Sequence, residues 1–164
     1  MEPPSTLAAL RPHVRFPIEN RTGLRIPIAP LRKALAHVLG PDARPVEVLL
    51  TDDQEMREIN LQAQGIDEPT DVLTFPAPQF PQAPLGEIVI SVPYASRQAQ
   101  ERKIARDQEI CYLAIHGALH LLGFDDVEEG DRERMFAEMH RIGLELGLPE
   151  QREWASLLHE VATP

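Results

Sequence analysis

His116-Gly117-Ala118-Leu119-His120-Leu121-Leu122-Gly123-Phe124-Asp125-Asp126 carries the end of a buried-type helix and the turn that follows it. Upstream, Ile110, Leu113, Ala114, Gly117 and Leu121 fall on one stripe, so a helix is expected from about Asp107. Residues four apart stack on one helix face, which lets the imidazoles of His116 and His120 reach a common point. Gly123 permits a sharp reversal that can return Asp125 or Asp126 to that face. Two neutral imidazoles and a carboxylate make a three-ligand set with an open position, the arrangement hydrolytic zinc enzymes use. An arbitrary His-x-x-x-His pair is more often a surface accident or a satisfied core pair. Here the helix is otherwise apolar, and burying two unpaired imidazoles costs free energy unless something binds them. The zinc-protease motif His-Glu-x-x-His is absent, because Gly117 stands where that motif carries its general base.

Before this helix the pattern is mostly of strands. His13–Ile18 alternates weakly and is expected to form a short edge strand, with Pro17 keeping it at the edge. Pro30 opens a helix that buries Leu31, Ala34, Leu35 and Val38 and stops at Gly40. Val46–Thr51 is a strand. Asp52 caps the next helix, with Glu55 completing a capping-box pattern, Met56 and Ile59 inward and Gly65 at its end. Asp71–Pro76 and Gly86–Ser91 are further strands, separated by a loop over Ala77–Leu85. A polar helix is expected from about Tyr94 to Ala105. After Gly123 a helix from about Asp131 turns Met135, Met139, Ile142 and Leu146 inward and closes at Gly147. Trp154, Leu157, Leu158 and Val161 suggest a last short helix. Strands first and helices later predict an α+β fold with a small mixed sheet.

The 164 residues fit one compact domain, expected over 13–162 behind a flexible segment at 1–12. Cys111 is the only cysteine, so no intramolecular disulfide forms, which suits a reducing cytosol. Met1 to Leu10 carries two prolines and an acid and no apolar core segment. No run approaches the ~18 apolar residues of a membrane span, so a soluble cytoplasmic chain without a membrane partner is expected. Net charge is −10, and Lys33 and Lys103 are the only lysines. Such a surface repels nucleic acid over most of its area, so any RNA contact must come from a local patch or from a metal.

The string from His116 to Asp126 resembles the YbeY family of bacterial metal-dependent endoribonucleases, whose signature is His-Gly-x-Leu-His-Leu-x-Gly-Tyr/Phe-Asp-His. Asp67-Glu68-Pro69-Thr70-Asp71-Val72-Leu73-Thr74-Phe75-Pro76 looks like the family's other signature block, and Leu85–Ser91 like the strand between them. The resemblance runs from about Val46 to Gly147. It implies a zincin-like fold, one zinc ion per chain held by three histidines, and a role in ribosomal RNA maturation and ribosome quality control at the small subunit. Two positions depart from the pattern. The third ligand falls on Asp126, a carboxylate in place of an imidazole, which can still bind zinc but makes harder ions such as manganese more competitive. Gln64 stands where the family usually has an arginine that could hold a phosphate; Arg57, Arg97 or Arg102 are candidates to replace it.

The expected metal ligands are therefore His116, His120 and Asp126, and the expected catalytic set is His116, His120, Gln64 and Asp125. Asp125 is assigned either to supporting a ligand histidine or to the turn. Two functions follow. One is a single-strand-specific endoribonuclease; the other is a ribosome-associated factor of the same fold with weakened catalysis, favoured by Gln64, Asp126 and the charge. Peptide hydrolysis survives only as fold analogy. Thr70 and Asp71 either line the cleft or form a turn. His140 is expected at the surface, and His13, His37 and His159 in structural or surface roles. Cys111 is expected in the core, and Glu128–Asp131 at a helix start. Oligomeric state is not legible.

Overall fold

A computed structural model describes residues 15–41, 44–78, 80, 83–151 and 154. The described residues form a four-stranded mixed sheet with five helices, in the order β1 (Ile18–Asn20), α1 (Ala29–Leu39), β2 (Val46–Thr51), α2 (Asp53–Gln64), β3 (Val72–Pro76), β4 (Gly86–Ser91), α3 (Val92–Arg102), α4 (Arg106–Leu121) and α5 (Glu129–Glu145). The strands lie in the order β1-β2-β4-β3, with β1, β2 and β4 parallel and β3 antiparallel on β4. The α+β class and the mixed sheet are as expected.

Both faces of the sheet are covered, which explains the unbroken apolar runs of its central strands. Side chains alternate between faces along a strand. Val46, Val48 and Leu50 of β2 and Ile88 and Ile90 of β4 join the large core with α1, α4 and α5. Leu49, Val89 and Leu73 point the other way, where Met56 of α2 covers them, with Ile59 and Phe75 alongside. Helix α4 is buried nearly all round, touching α1, α3, α5, β3 and β4. It is the central helix of the fold, so His116 is enclosed by packing while His120, near its end, is half-buried.

Local signals account for most helix ends. Asp52 accepts a hydrogen bond from Glu55 N at 2.9 Å. The reciprocal half of the capping box is replaced, because the Glu55 carboxylate accepts from Thr51 Oγ1 at 2.5 Å and Arg21 Nη1 at 2.9 Å. Gly65, in the left-handed conformation, ends α2.

Several boundaries differ from expectation. The first strand begins at Ile18 rather than His13 and runs on to Asn20, pairing Ile18 with Val48 and Asn20 with Leu50. Phe16 turns into the core instead, its carbonyl bonded by Arg32 Nε at 3.1 Å. The strand does lie at the sheet edge. Helix α3 spans Val92–Arg102 rather than 94–105, because Ser91 Oγ accepts from Tyr94 N at 3.4 Å and Pro93 fits the first turn. Helix α5 starts at Glu129, two residues before Asp131. Val38 and Leu146 are half-buried, and His140 is half-buried too, with Nε2 3.7 Å from Glu150 Oε1. The 1–12 segment, His13, His159 and the final helix beyond Trp154 lie outside the described residues. No helix among the described residues is long and apolar enough to cross a membrane.

Candidate metal centre

Three side chains converge where α4 ends. His116 Nε2 and His120 Nε2 are 3.0 Å apart, and Asp126 Oδ2 is 3.4 Å from each. Four-coordinate zinc with bonds of about 2.1 Å needs donor atoms about 3.4 Å apart. Two edges of the triangle match and the third is slightly short, so the donor set fits one small divalent ion. His116 and Asp126 are buried and His120 is half-buried, which leaves the cluster approachable from the His120 side. Among the described residues, His116, His120 and Asp126 form a group able to hold a metal ion.

The turn after α4 builds the site. Gly123 N donates to the His120 carbonyl at 3.0 Å and Phe124 N to the Leu119 carbonyl at 3.0 Å. Gly123 has φ of +100°, a conformation other residues resist. This reversal aims the Phe124 carbonyl at His120 Nδ1, 3.1 Å away. A carbonyl can only accept, so Nδ1 carries the proton and the Nε2 lone pair is left for the centre. Arg132 of α5 then grips the loop from outside, donating to the carbonyls of Asp126 at 3.0 Å and Val127 at 3.1 Å.

Gly117 has a packing cause. A Cβ there would lie 3.0–3.1 Å from three Ile88 side-chain atoms, so α4 sits directly on β4 and any larger residue would have to push Ile88 aside by a few tenths of an ångström.

The other anticipated residues are placed as follows. Asp125 is exposed and its Oδ1 accepts from Val127 N at 3.1 Å, which stabilises the turn; the acceptor for His120 is the neighbouring carbonyl. Gln64 is exposed at the last position of α2. Arg57 is paired with Asp67 at 2.7 Å, and Arg97 with Asp53 at 2.8 Å while stacking on Tyr94. Arg102 lies over Trp154, 3.6 Å from Glu109. Thr70 and Asp71 are buried, with Asp71 Oδ1 accepting from Val72 N at 2.7 Å and Oδ2 from Gln98 Nε2 at 3.4 Å. His37 pairs with Glu145 at 2.6 Å. Burial pushes the Cys111 thiol up to about 11, which suits a core residue and not a nucleophile at neutral pH. Sequence reasoning missed the Phe124 carbonyl, Arg132, Glu109 and the part of Trp154, whose indole stands 5.2 Å from the His116 ring.

The family model described as Endoribonuclease YbeY matches residues 23–147. A protein named Endoribonuclease YbeY from Helicobacter pylori is 38% identical over 138 residues, covering 83% of this chain and 97% of its own length. One of that name from Nautilia profundicola is 40% identical over 131 residues, covering 80% and 91%. A solution structure from Thermotoga maritima superposes with a TM-score of 0.60 at 28% identity, covering 80% of this chain and 88% of that one. With most of its length matched by the family model and by relatives at this identity, the chain belongs to the YbeY endoribonuclease family.

Proposed function

We propose that this chain is a metal-dependent, single-strand-specific endoribonuclease of ribosomal RNA maturation and ribosome quality control, using one zinc ion held by His116, His120 and Asp126. The convergence of those three side chains carries the assignment. A bound divalent ion supplies Lewis acidity toward a phosphodiester oxygen and makes water a better nucleophile. The chain's own residues do the rest. Phe124 fixes the tautomer of His120, and Arg132 holds the loop that brings Asp126 in. Gln64 is assigned to donating hydrogen bonds to a phosphate, and Asp125 to keeping the ligand turn in register. Cytoplasmic action on the small ribosomal subunit belongs to the same proposal, resting on the family and on the site.

A second function keeps the fold and the metal but has weaker catalysis. It is favoured by Gln64, whose exposed amide brings no cation to offset charge building on a phosphate. The two separate in one assay. Purified chain, its metal content measured, is given single-stranded and duplex RNA. The enzyme reading expects metal-dependent cleavage of the single strand, lost in His116→Ala. Cleavage that persists in that variant would place the chemistry elsewhere. A tenfold or greater gain on Gln64→Arg, order-of-magnitude for one well-placed cation, would establish the weakened form.

A further inference from the structure

Behind His116 lies a buried polar cluster that metal binding does not use. Glu109, on α4, is fully buried. Both of its carboxylate oxygens accept from the Trp154 indole N–H, at 3.0 and 3.1 Å. Arg102 of α3 places its guanidinium 4.9 Å from the indole centroid and its Nε 3.6 Å from Glu109. The indole also stands 5.2 Å from the His116 ring, inclined at 55°, and stacks on Tyr112 at 6.1 Å. Tyr112 is itself tied down, donating to the Pro149 carbonyl at 2.5 Å. Glu109, Tyr112 and His116 are i, i+3 and i+7 on one helix, so they form a single stripe under the indole.

A buried indole needs only one neutral acceptor to be satisfied. Here it receives a carboxylate that had to be stripped of water, a costly partner for that purpose alone. What the carboxylate and guanidinium add is direction, since they fix the indole at its N–H and over its ring while its remaining wall abuts a metal ligand. Rings of ligating histidines are oriented by the groups around them, and those groups tune affinity. We propose that Trp154, anchored by Glu109 and Arg102, is a positioning residue that sets the plane of the His116 imidazole and thereby the metal affinity. The inference rests on the metal assignment above. It also reaches outside the family match, which ends at residue 147.

The test uses the full chain, freed of metal, with zinc added. Affinity is read by competition with a chelating dye. Emission is read from Trp154, the only tryptophan in the chain. Zinc should change the emission of the wild type at one equivalent. Trp154→Ala should lower affinity by about 10- to 100-fold, the usual cost of losing a group that orients a ligand. Glu109→Met should lower it about tenfold alone and add nothing in the Trp154→Ala background, because one route carries both effects. Glu109→Gln, which keeps an acceptor oxygen for the indole but loses the charge facing Arg102, should fall between the wild type and Glu109→Met, and a loss as large as that of Glu109→Met would overturn the indole N–H as the anchor. If Glu109→Met does not fold, Trp154→Phe takes its place and should lose about tenfold, since it keeps an aromatic ring and removes the N–H. Wild-type affinity in Trp154→Ala, or losses that add in the double variant, would overturn the positioning role while His116→Ala still abolishes binding. Zinc binding that survives His116→Ala would bring down the metal assignment and this inference together.

Discussion

Glu109 should give the protein an inverted pH response that a single substitution isolates. Loss of hydration pushes its carboxyl from 4.5 up to about 7, opposed by the Arg102 charge and the Trp154 N–H and helped slightly by Asp71. The folded chain therefore binds more protons than the unfolded one between those two values. Its contribution is complete below pH 4.5 and is lost as pH rises toward and through 7. At ~1.4 kcal/mol per pH unit of displacement the whole effect is ~3 kcal/mol, and most of it falls between pH 5 and 8. Glu109→Gln keeps an oxygen for the indole and cannot titrate. Urea unfolding of both proteins at several pH values, with a chelator present to keep metal binding out of the balance, measures the difference. The wild type should lose ~2–3 kcal/mol relative to the variant from pH 5 to 8. Parallel profiles would refute the reasoning, because they would mean the carboxyl is hydrated or already neutralised by Arg102.

Two further outcomes test the ligand turn and the packing beneath it. Asp126→Ala should weaken zinc binding by about 100-fold or more, while Asp125→Ala, whose carboxylate serves the turn, should change it by less than about threefold in the same dye competition; the reverse order would move the third ligand to Asp125. Gly86→Ala should destabilise by ~1–3 kcal/mol, since its Cβ would meet the Phe75 carbonyl oxygen and Leu121 Cδ2 at 2.5 Å. An unchanged Tm would show slack between β4, β3 and the end of α4.

The sequence was most legible where one local rule decided the outcome. Strands β2 and β4 fall where expected because both sheet faces are buried, so the apolar run and the strand coincide. Gly40 and Gly65 end their helices by backbone conformation, a property visible in the residue itself. The His116–His120 pair was legible because helical spacing converts directly into a shared face. Less visible was anything depending on the partner of a residue. Phe16 looked like part of a strand until the core supplied a better place for it, and the β1-β2-β4-β3 order has no local signature.

The supports of the site were hidden for the same reason, though not equally. The acceptor that orients His120 is a backbone carbonyl, so no side chain could have announced it. Arg132 resembled any surface arginine of a charged helix start, and only the fold shows it holding two loop carbonyls. Glu109 did leave a trace. It sits seven residues before His116, on the face of α4 that Tyr112 and His116 share, where an acid is out of place unless it has a partner. The chain's sole tryptophan, by its spacing with Leu157, Leu158 and Val161, signals only a last short helix. Beside that tryptophan the misplaced acid marks a pair next to the candidate metal centre, because an indole N–H is a donor that a buried carboxylate can use.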